Sequence, residues 1–103
     1  MKKLDLHIHT IQTVSDHAFT FSIDKLKEYI KQLAIDGIAI TNHNTFNLQQ
    51  YEDIRDELSD ICTVLPGIEI NIGKNNFGHL ICITEQDDIE DFFYPLLINR
   101  RQD

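Results

Sequence analysis

The sequence lacks a cysteine framework, a long apolar run and an excess of basic residues. Its two cysteines, Cys62 and Cys82, lie far apart within apolar stretches, which argues against disulfides and predicts two buried, reduced thiols in an intracellular protein. Met1 is followed by two lysines and then by alternating residues, so neither a signal peptide nor a membrane-spanning helix is predicted. We therefore expect a cytoplasmic protein with no membrane contact.

Basic side chains are scarce, with 9 lysines and arginines against 17 aspartates and glutamates and a formal net charge of −8. A negative surface repels phosphate backbones unless a basic patch or bound cations reverse the local field. Adjacent basic residues occur only at Lys2 and Lys3 and at Arg100 and Arg101, too few for such a patch. Any phosphate-bearing ligand therefore has to be held through metal ions.

The 103 residues, of which 42% are hydrophobic, suffice for the core of one domain at most. Hydrophobic periodicity predicts the element order βαβαββα, which is typical of an α/β protein with a mostly parallel sheet. The predicted strands cover residues 3–9, 37–41, 61–72 (interrupted at Pro66 and Gly67) and 78–84; Ser22 and Asn47 cap two helices, Gly37 stops the first of them, and a last helix starts near Asp87 or Asp88.

Two histidines stand two positions apart in the first predicted strand, within LDLHIHT (4–10). Side chains at i and i+2 of a strand point the same way, with Cα atoms about 7 Å apart, so both rings can converge on one ion. The pair therefore predicts a metal site. Simple alternation predicts one face with Asp5, His7 and His9 and the other with Leu4, Leu6 and Ile8.

Further candidate ligands fall at or near the ends of predicted strands, where the loops of α/β folds gather binding groups. Glu69 stands between isoleucines and needs a partner, which a bridging position between cations supplies. Imidazole-rich sites with carboxylates suit zinc, manganese or iron better than calcium or magnesium. The candidate ligands are His7, His9, Asp16, His17, His43, Glu69 and His79.

Five short stretches, DLHIHT, SDH, AITNHNTF, PGIEI and GHL, follow one another between residue 4 and about residue 84. In this order and spacing they resemble the first motifs of the PHP family, the polymerase and histidinol phosphatase superfamily of metal-dependent phosphoesterases. The resemblance implies a distorted (β/α)7 TIM-like barrel that binds up to three divalent ions at the C-terminal ends of its strands. It also implies that a metal-activated water hydrolyses a phosphate ester of a nucleotide, a nucleic-acid end or a small phosphomonoester.

The resemblance assigns ligands as well. The family pattern after the first strand is commonly Ser-Asp-Gly, and His17 replaces the glycine here, so either Asp16 or His17 is the ligand, with Asp16 preferred. The implied sets are His7 and His9 on one ion, Asp16 or His17 with His43 on a second, Glu69 as the bridge, and His79 on a third.

Two departures from the family pattern bear on the site. Asn42 stands where the family has an aspartate, which predicts an altered contact behind the ligand ring and a weaker hold on that ring. The chain is also about half as long as the family barrels and has no histidine after His79, so the late ligands are missing. Residues 1–103 are thus expected to be the N-terminal portion of one PHP-like domain, completed by the remainder of a longer chain or by a partner subunit.

Two functions other than catalysis stay open at this point. One is a catalytically incomplete PHP-like scaffold or regulatory module attached to a partner or an ATPase region, which Asn42 and the missing ligands favour. The other is a single-metal module that uses His7, His9 and Glu69 without catalysis. Retention of many polar groups that converge on one cleft favours the enzyme, because unpaired buried polar groups are costly.

Overall fold

Four strands and two helices form a mixed α/β fold in the computed structural model, which describes residues 2–12, 19–72, 78–85 and 93–95. The strands lie in the order β1-β2-β3-β4 in a curled, half-barrel sheet; β1, β2 and β3 are parallel, and β4 is antiparallel to β3. The α/β class and the predicted order up to the fourth strand are confirmed. The elements are β1 (Leu4–Ile8), α1 (Ile23–Leu33), β2 (Gly37–Ile40), α2 (Leu48–Glu57), β3 (Thr63–Ile72) and β4 (Gly78–Ile83).

Both helices begin where the sequence predicts. Ser22 Oγ accepts a hydrogen bond from the Lys25 backbone N–H at 3.3 Å. Asn47 Oδ1 accepts one from the Gln50 backbone N–H at 2.8 Å. Each helix therefore has a side-chain N-cap that satisfies a backbone donor of its first turn.

The end of α1 differs from the prediction that Gly37 stops it. The helix ends before Ala34, which is left-handed with φ 52°, and the Ile35 N–H donates to Ile30 O in the manner of a Schellman cap. Gly37 instead opens β2, where an added Cβ atom would lie 2.9 Å from Leu4 Cδ2 of β1. This glycine permits the close approach of two strands and does not end the helix.

The pairing of β1 with β2 contains a register shift between Asp5 and Ile8, equivalent to one extra residue in β1. Asp5 accepts a hydrogen bond from the Tyr29 hydroxyl of α1, and Ile8 packs on the core beneath the helices. Simple alternation is therefore wrong for Asp5, which the sequence placed with His7 and His9. The bulge leaves the Asp5 carboxylate at Tyr29 of α1, where its other oxygen accepts the His7 N–H at 3.2 Å, while both histidine rings reach Glu69.

β3 runs without a break through Pro66 and Gly67, where the sequence predicts an interruption. The strand changes partner at this point, because it pairs with β2 up to Pro66 and with β4 from Gly67 onward. A Cβ atom on Gly67 would lie 3.0 Å from both Ile40 O and Cys82 O. Glycine thus lets the backbones on both sides approach, and the Pro-Gly pair marks the exchange of partners.

The main hydrophobic core lies between the sheet and the two helices. A second cluster joins Ile68 and Ile70 of β3 to Phe93 in the helical stretch 93–95. The predicted start of this last helix lies outside the described residues. The buried members of the main core are Leu26, Ile30, Ile35, Ile38, Ile40, Tyr51, Ile54, Leu58 and Val64.

The structure bears on two predictions made from the sequence, namely buried, reduced thiols and the lack of a membrane-spanning helix. Cys62 and Cys82 are free thiols, as predicted, but half-buried where full burial was expected. Desolvation nevertheless raises the pKa of both thiols. Neither helix in the described ranges has the length and apolar character needed to cross a bilayer.

Candidate metal centre

The carboxylate of Glu69 lies at the centre of a cluster of four histidines. Its Oε1 is 2.6 Å from His7 Nε2 and 2.9 Å from His9 Nε2. Its Oε2 is 3.0 Å from His79 Nδ1, and His43 Nε2 lies 3.7 Å from Oε1. The sheet therefore brings together predicted ligands from β1, from the chain after β2, from β3 and from β4.

Strand alternation places this carboxylate on the side of β3 opposite its isoleucines. Ile68 and Ile70 pack with Phe93 and are almost inaccessible, whereas Glu69 between them faces the histidines and is 5% exposed. The predicted need of Glu69 for partners is met by imidazole rings. A buried carboxylate without such partners would be costly.

Burial by itself raises the pKa of Glu69, because desolvation disfavours the charged carboxylate. Hydrogen bonds from His9 and His7 and the charge of His43 outweigh desolvation, so the pKa lies below its ordinary value. Glu69 is therefore anionic at neutral pH, and both of its oxygens are available as acceptors or metal ligands.

The chain around His43 is fixed against Glu69 by backbone hydrogen bonds on either side. The Glu69 N–H donates to Asn42 O at 2.9 Å and the Asn44 N–H donates to Glu69 O at 2.7 Å, which forms a parallel bridge beyond β2. Asn44 is left-handed with φ 54°, and its Oδ1 accepts the Asn71 N–H at 2.9 Å. Sequence analysis missed Asn44, although asparagine at a strand end is a known signal for left-handed backbone.

The side chain of Asn42 ties the end of β1 to the end of β2. Its Oδ1 accepts the N–H groups of Thr10 and Ile11 at 2.6 and 2.9 Å, and its Nδ2 lies 3.0 Å from Thr10 Oγ1. The expected altered contact is thus made with the chain that follows His9, because these bonds go to Thr10 and to the Ile11 N–H. The weaker hold on a ligand ring stays a prediction. Thr10, which is 3% exposed, is a second residue that sequence analysis missed.

The histidine rings pack edge to face across the cluster. The centroids of His7 and His9 are 5.0 Å apart, and those of His9 and His43 are 4.5 Å apart. His43 and His79 follow at 6.1 Å. The side chain of His43 is only 9% exposed, whereas those of His7 and His79 are 52% and 54% exposed. The cluster is thus closed at its centre and open to solvent at both ends.

Two overlapping groups have the donor set of a metal site. His7 and His9 form one group with Glu69, and His43 and His79 form the other with the same carboxylate; within each group the ligand atoms lie within 4.8 Å of one another. Ligands at about 2.0–2.1 Å from one tetrahedral ion are about 3–4 Å apart, so small side-chain rotations can close each group around an ion. The residues present therefore fit a divalent metal.

An open groove of about 380 Å³ leads from the histidine pair of β1 along α1. Besides His7 and His9 it is lined by Asp5, Phe19, Lys25 and Tyr29, so it combines aromatic surface with one anionic and one cationic side chain. The organic part of a ligand bound at the cluster has room in this groove.

Two predicted ligands, Asp16 and His17, lie outside the described residues. No protein-family model matches the chain, and no curated protein matches its sequence. The geometry of the His/Glu cluster therefore carries the functional argument.

Proposed function

We propose that the protein is a metal-dependent phosphoesterase of the PHP type, which hydrolyses a nucleotide, a nucleic-acid end or a small phosphomonoester with a metal-activated water. One observation carries the proposal: the nearly buried, anionic Glu69 is surrounded by four histidines that reach it from other segments. As packing elements these polar groups are costly. Four imidazoles around one carboxylate are, by contrast, a donor set that suits zinc, manganese or iron.

The two ligand groups support a pair of ions that share one carboxylate. His7 and His9 would hold one ion, His43 and His79 the other, and Glu69 would lie between them. This grouping departs from the resemblance, which implies Asp16 or His17 beside His43 on the second ion and His79 on a third. A third ion would then need further ligands from beyond the described residues.

Divalent cations held by the histidines and Glu69 would lower the pKa of water and supply positive charge for the phosphoryl oxygens. The chain supplies the surroundings. Glu69 remains ionised and stays in place between the histidines, while the exposed His7 and His79 leave both ends of the cluster accessible. Because the chain carries a formal charge of −8, an anionic substrate is attracted only where cations are bound.

The proposal also includes the fold: the four strands and two helices would be the N-terminal portion of a mostly parallel (β/α)7 TIM-like barrel. The curled sheet and the cluster at its strand ends support it. Leu4 and Leu6 on the outer strand β1 and Leu80 on the outer strand β4 are 56%, 40% and 44% exposed. The remainder of a longer chain or a partner subunit would cover such edges, as barrel closure does.

The test compares two matched substitutions, Glu69→Gln in the cluster and Glu57→Gln on the exposed face of α2, where Glu57 pairs with Lys27 at 2.9 Å. The complete natural chain is assayed with manganese and a chromogenic phosphate ester. We expect Glu69→Gln to abolish metal-dependent hydrolysis and Glu57→Gln to keep the wild-type rate.

Hydrolysis that survives Glu69→Gln contradicts the proposal. Metal binding without hydrolysis of any phosphate ester favours the scaffold or the single-metal module instead. Elemental analysis then separates these two, because the single-metal module holds one ion per chain.

A further inference from the structure

We infer that Asn42 is a positioning residue that holds the β1 histidines in place relative to His43. We also infer that the hydrogen bonds of Gln50 with Thr10 determine that an amide, and not a carboxylate, fits at position 42. The inference rests on the proposed function only in so far as the cluster binds metal. It does not depend on which reaction follows.

Asn42 reaches the chain on both sides of the cluster. Its backbone oxygen accepts the Glu69 N–H at 2.9 Å, and its side-chain Oδ1 accepts two consecutive N–H groups, the first from Thr10 at 2.6 Å. Thr10 directly follows His9, and Asn42 directly precedes His43. One side chain, 3% exposed, thus joins the segments whose rings lie 4.5 Å apart.

The hydroxyl of Thr10 can donate one hydrogen bond, and Gln50 accepts that bond. Thr10 Oγ1 donates to Gln50 Oε1 at 2.7 Å, while Gln50 Nε2 donates to Thr10 O at 3.2 Å. The carbonyl oxygen of Thr10 needs a donor, so it fixes which end of the Gln50 amide faces it. With its proton committed, Thr10 Oγ1 acts only as an acceptor toward position 42.

The amide of Asn42 matches this requirement at both of its ends. Its Oδ1 is fixed by the two backbone N–H groups that donate to it, so the other atom is Nδ2, which donates to Thr10 Oγ1 at 3.0 Å. Every polar atom of this contact then has a partner of the right kind. Buried networks that are satisfied in this way hold their members in one arrangement.

An aspartate at position 42 would accept the two backbone N–H groups equally well, but its second oxygen would face Thr10 Oγ1. Both oxygens would be acceptors unless Thr10 withdrew its proton from Gln50. The first choice leaves a buried carboxylate oxygen without a donor, and the second leaves the half-buried Gln50 Oε1 without one. The carboxylate would also add a second buried negative charge to the segment whose backbone pairs with Glu69. Loss of the match shifts Thr10, and with it the preceding His9.

The experiment titrates metal-free protein with cobalt(II) and follows the visible absorption spectrum, which reports ligand number and geometry. The variants are Asn42→Ala, Asn42→Asp, and Asn42→Asp combined with Gln50→Met, which releases the Thr10 proton toward the carboxylate. Asn47→Asp is the matched control, because Asn47 is a helix N-cap where either side chain serves. Melting temperatures of the metal-free proteins report folding separately.

We expect Asn42→Ala and Asn42→Asp to bind cobalt about 10- to 100-fold more weakly, with altered spectra, as for other groups that orient metal ligands. Asn47→Asp should stay within about twofold of the wild type, and Gln50→Met should restore part of the affinity lost in Asn42→Asp.

Wild-type affinity and spectrum in Asn42→Ala would overturn the positioning role. A double variant that binds no better than Asn42→Asp would overturn the part assigned to Gln50. Wild-type protein that binds no cobalt contradicts both this inference and the metal centre. Wild-type protein that binds cobalt but hydrolyses no phosphate ester removes the proposed reaction and leaves the role of Asn42 measurable.

Discussion

The side of the sheet that the helices cover and the end that carries the histidines are built from different residues. The helix side is mostly aliphatic, with Tyr51 as a buried aromatic residue, and its Ile38 and Leu58 are fully buried. The histidine end buries polar side chains to a similar degree, with Asn42 at 3% exposure and Glu69 at 5%. Apolar burial stabilises by about 25 cal/mol per Å², whereas each buried polar group needs a hydrogen bond or an ion to offset its desolvation.

The two regions therefore have different roles: the helix side stabilises the fold, and the histidine end carries the candidate metal ligands. The aliphatic side accounts for the stability of the sheet and its helices. At the histidine end, hydrogen bonds that Asn42 accepts and one that the Asn44 N–H donates hold a polar cluster that hydrophobic packing does not require. A change on one side should therefore leave the property of the other side intact.

The largest effect on stability is expected on the aliphatic side. Ile38→Ala removes most of a fully buried side chain and should lower the free energy of unfolding by about 2–5 kcal/mol. Urea unfolding measures this change, and elemental analysis of the remaining folded protein should find the wild-type metal content. Loss of metal along with stability would show that the two regions are not separable.

Metal removal should have the next largest effect. A ligand that binds only the folded state at 100 times its Kd stabilises by about 2.7 kcal/mol, so a chelator should lower the melting temperature. His43→Ala should reduce this difference between the metal-loaded and metal-free forms, and Glu57→Gln should leave it unchanged. Identical melting curves with and without chelator would favour the alternative function, a catalytically incomplete scaffold.

A third effect concerns the outer strands. Residues 1–103 produced alone should associate and lack activity, because Leu80 and Ile81 remain exposed on β4 and Leu4 on β1. Leu80→Lys should reduce association, which light scattering measures, since charged side chains oppose edge-to-edge pairing. A fully active monomer of these residues would show that no completing half is needed.

The smallest effect is the acid response of the metal-free protein. Because the folded pKa of Glu69 lies below its ordinary value of 4.5, the folded state binds fewer protons there than the unfolded state. The resulting stability is present above that ordinary value and is lost as the pH falls through the folded pKa. Urea unfolding at several pH values below 4.5 gives the free energy of unfolding as a function of pH. We expect it to change less steeply with pH in Glu69→Gln than in the wild type. The same slope in both proteins would contradict a lowered pKa of Glu69.

Sequence alone predicted the elements and the ligands whose signal is local. Strand spacing indicated that His7 and His9 share a side, and the caps Ser22 and Asn47 were read from residue type and position. Glu69 among isoleucines indicated a carboxylate that needs partners. Each of these inferences depends on neighbours within a few positions.

What the sequence could not predict depends on contacts between segments. The bulge in β1 and the change of partner at Gly67 arise from strand pairing. The network of Thr10, Asn42 and Gln50 joins three segments, and no local pattern reveals which proton goes to which acceptor.

The metal content of purified protein tests the central claim most directly. Elemental analysis of the wild type should find zinc, manganese or iron bound to the folded chain, and the double variant His7→Ala/His9→Ala should lose at least one ion per chain. The double variant must remain folded, which its circular dichroism spectrum can establish. Metal content that stays the same without His7 and His9 would contradict the account of this cluster as a metal centre.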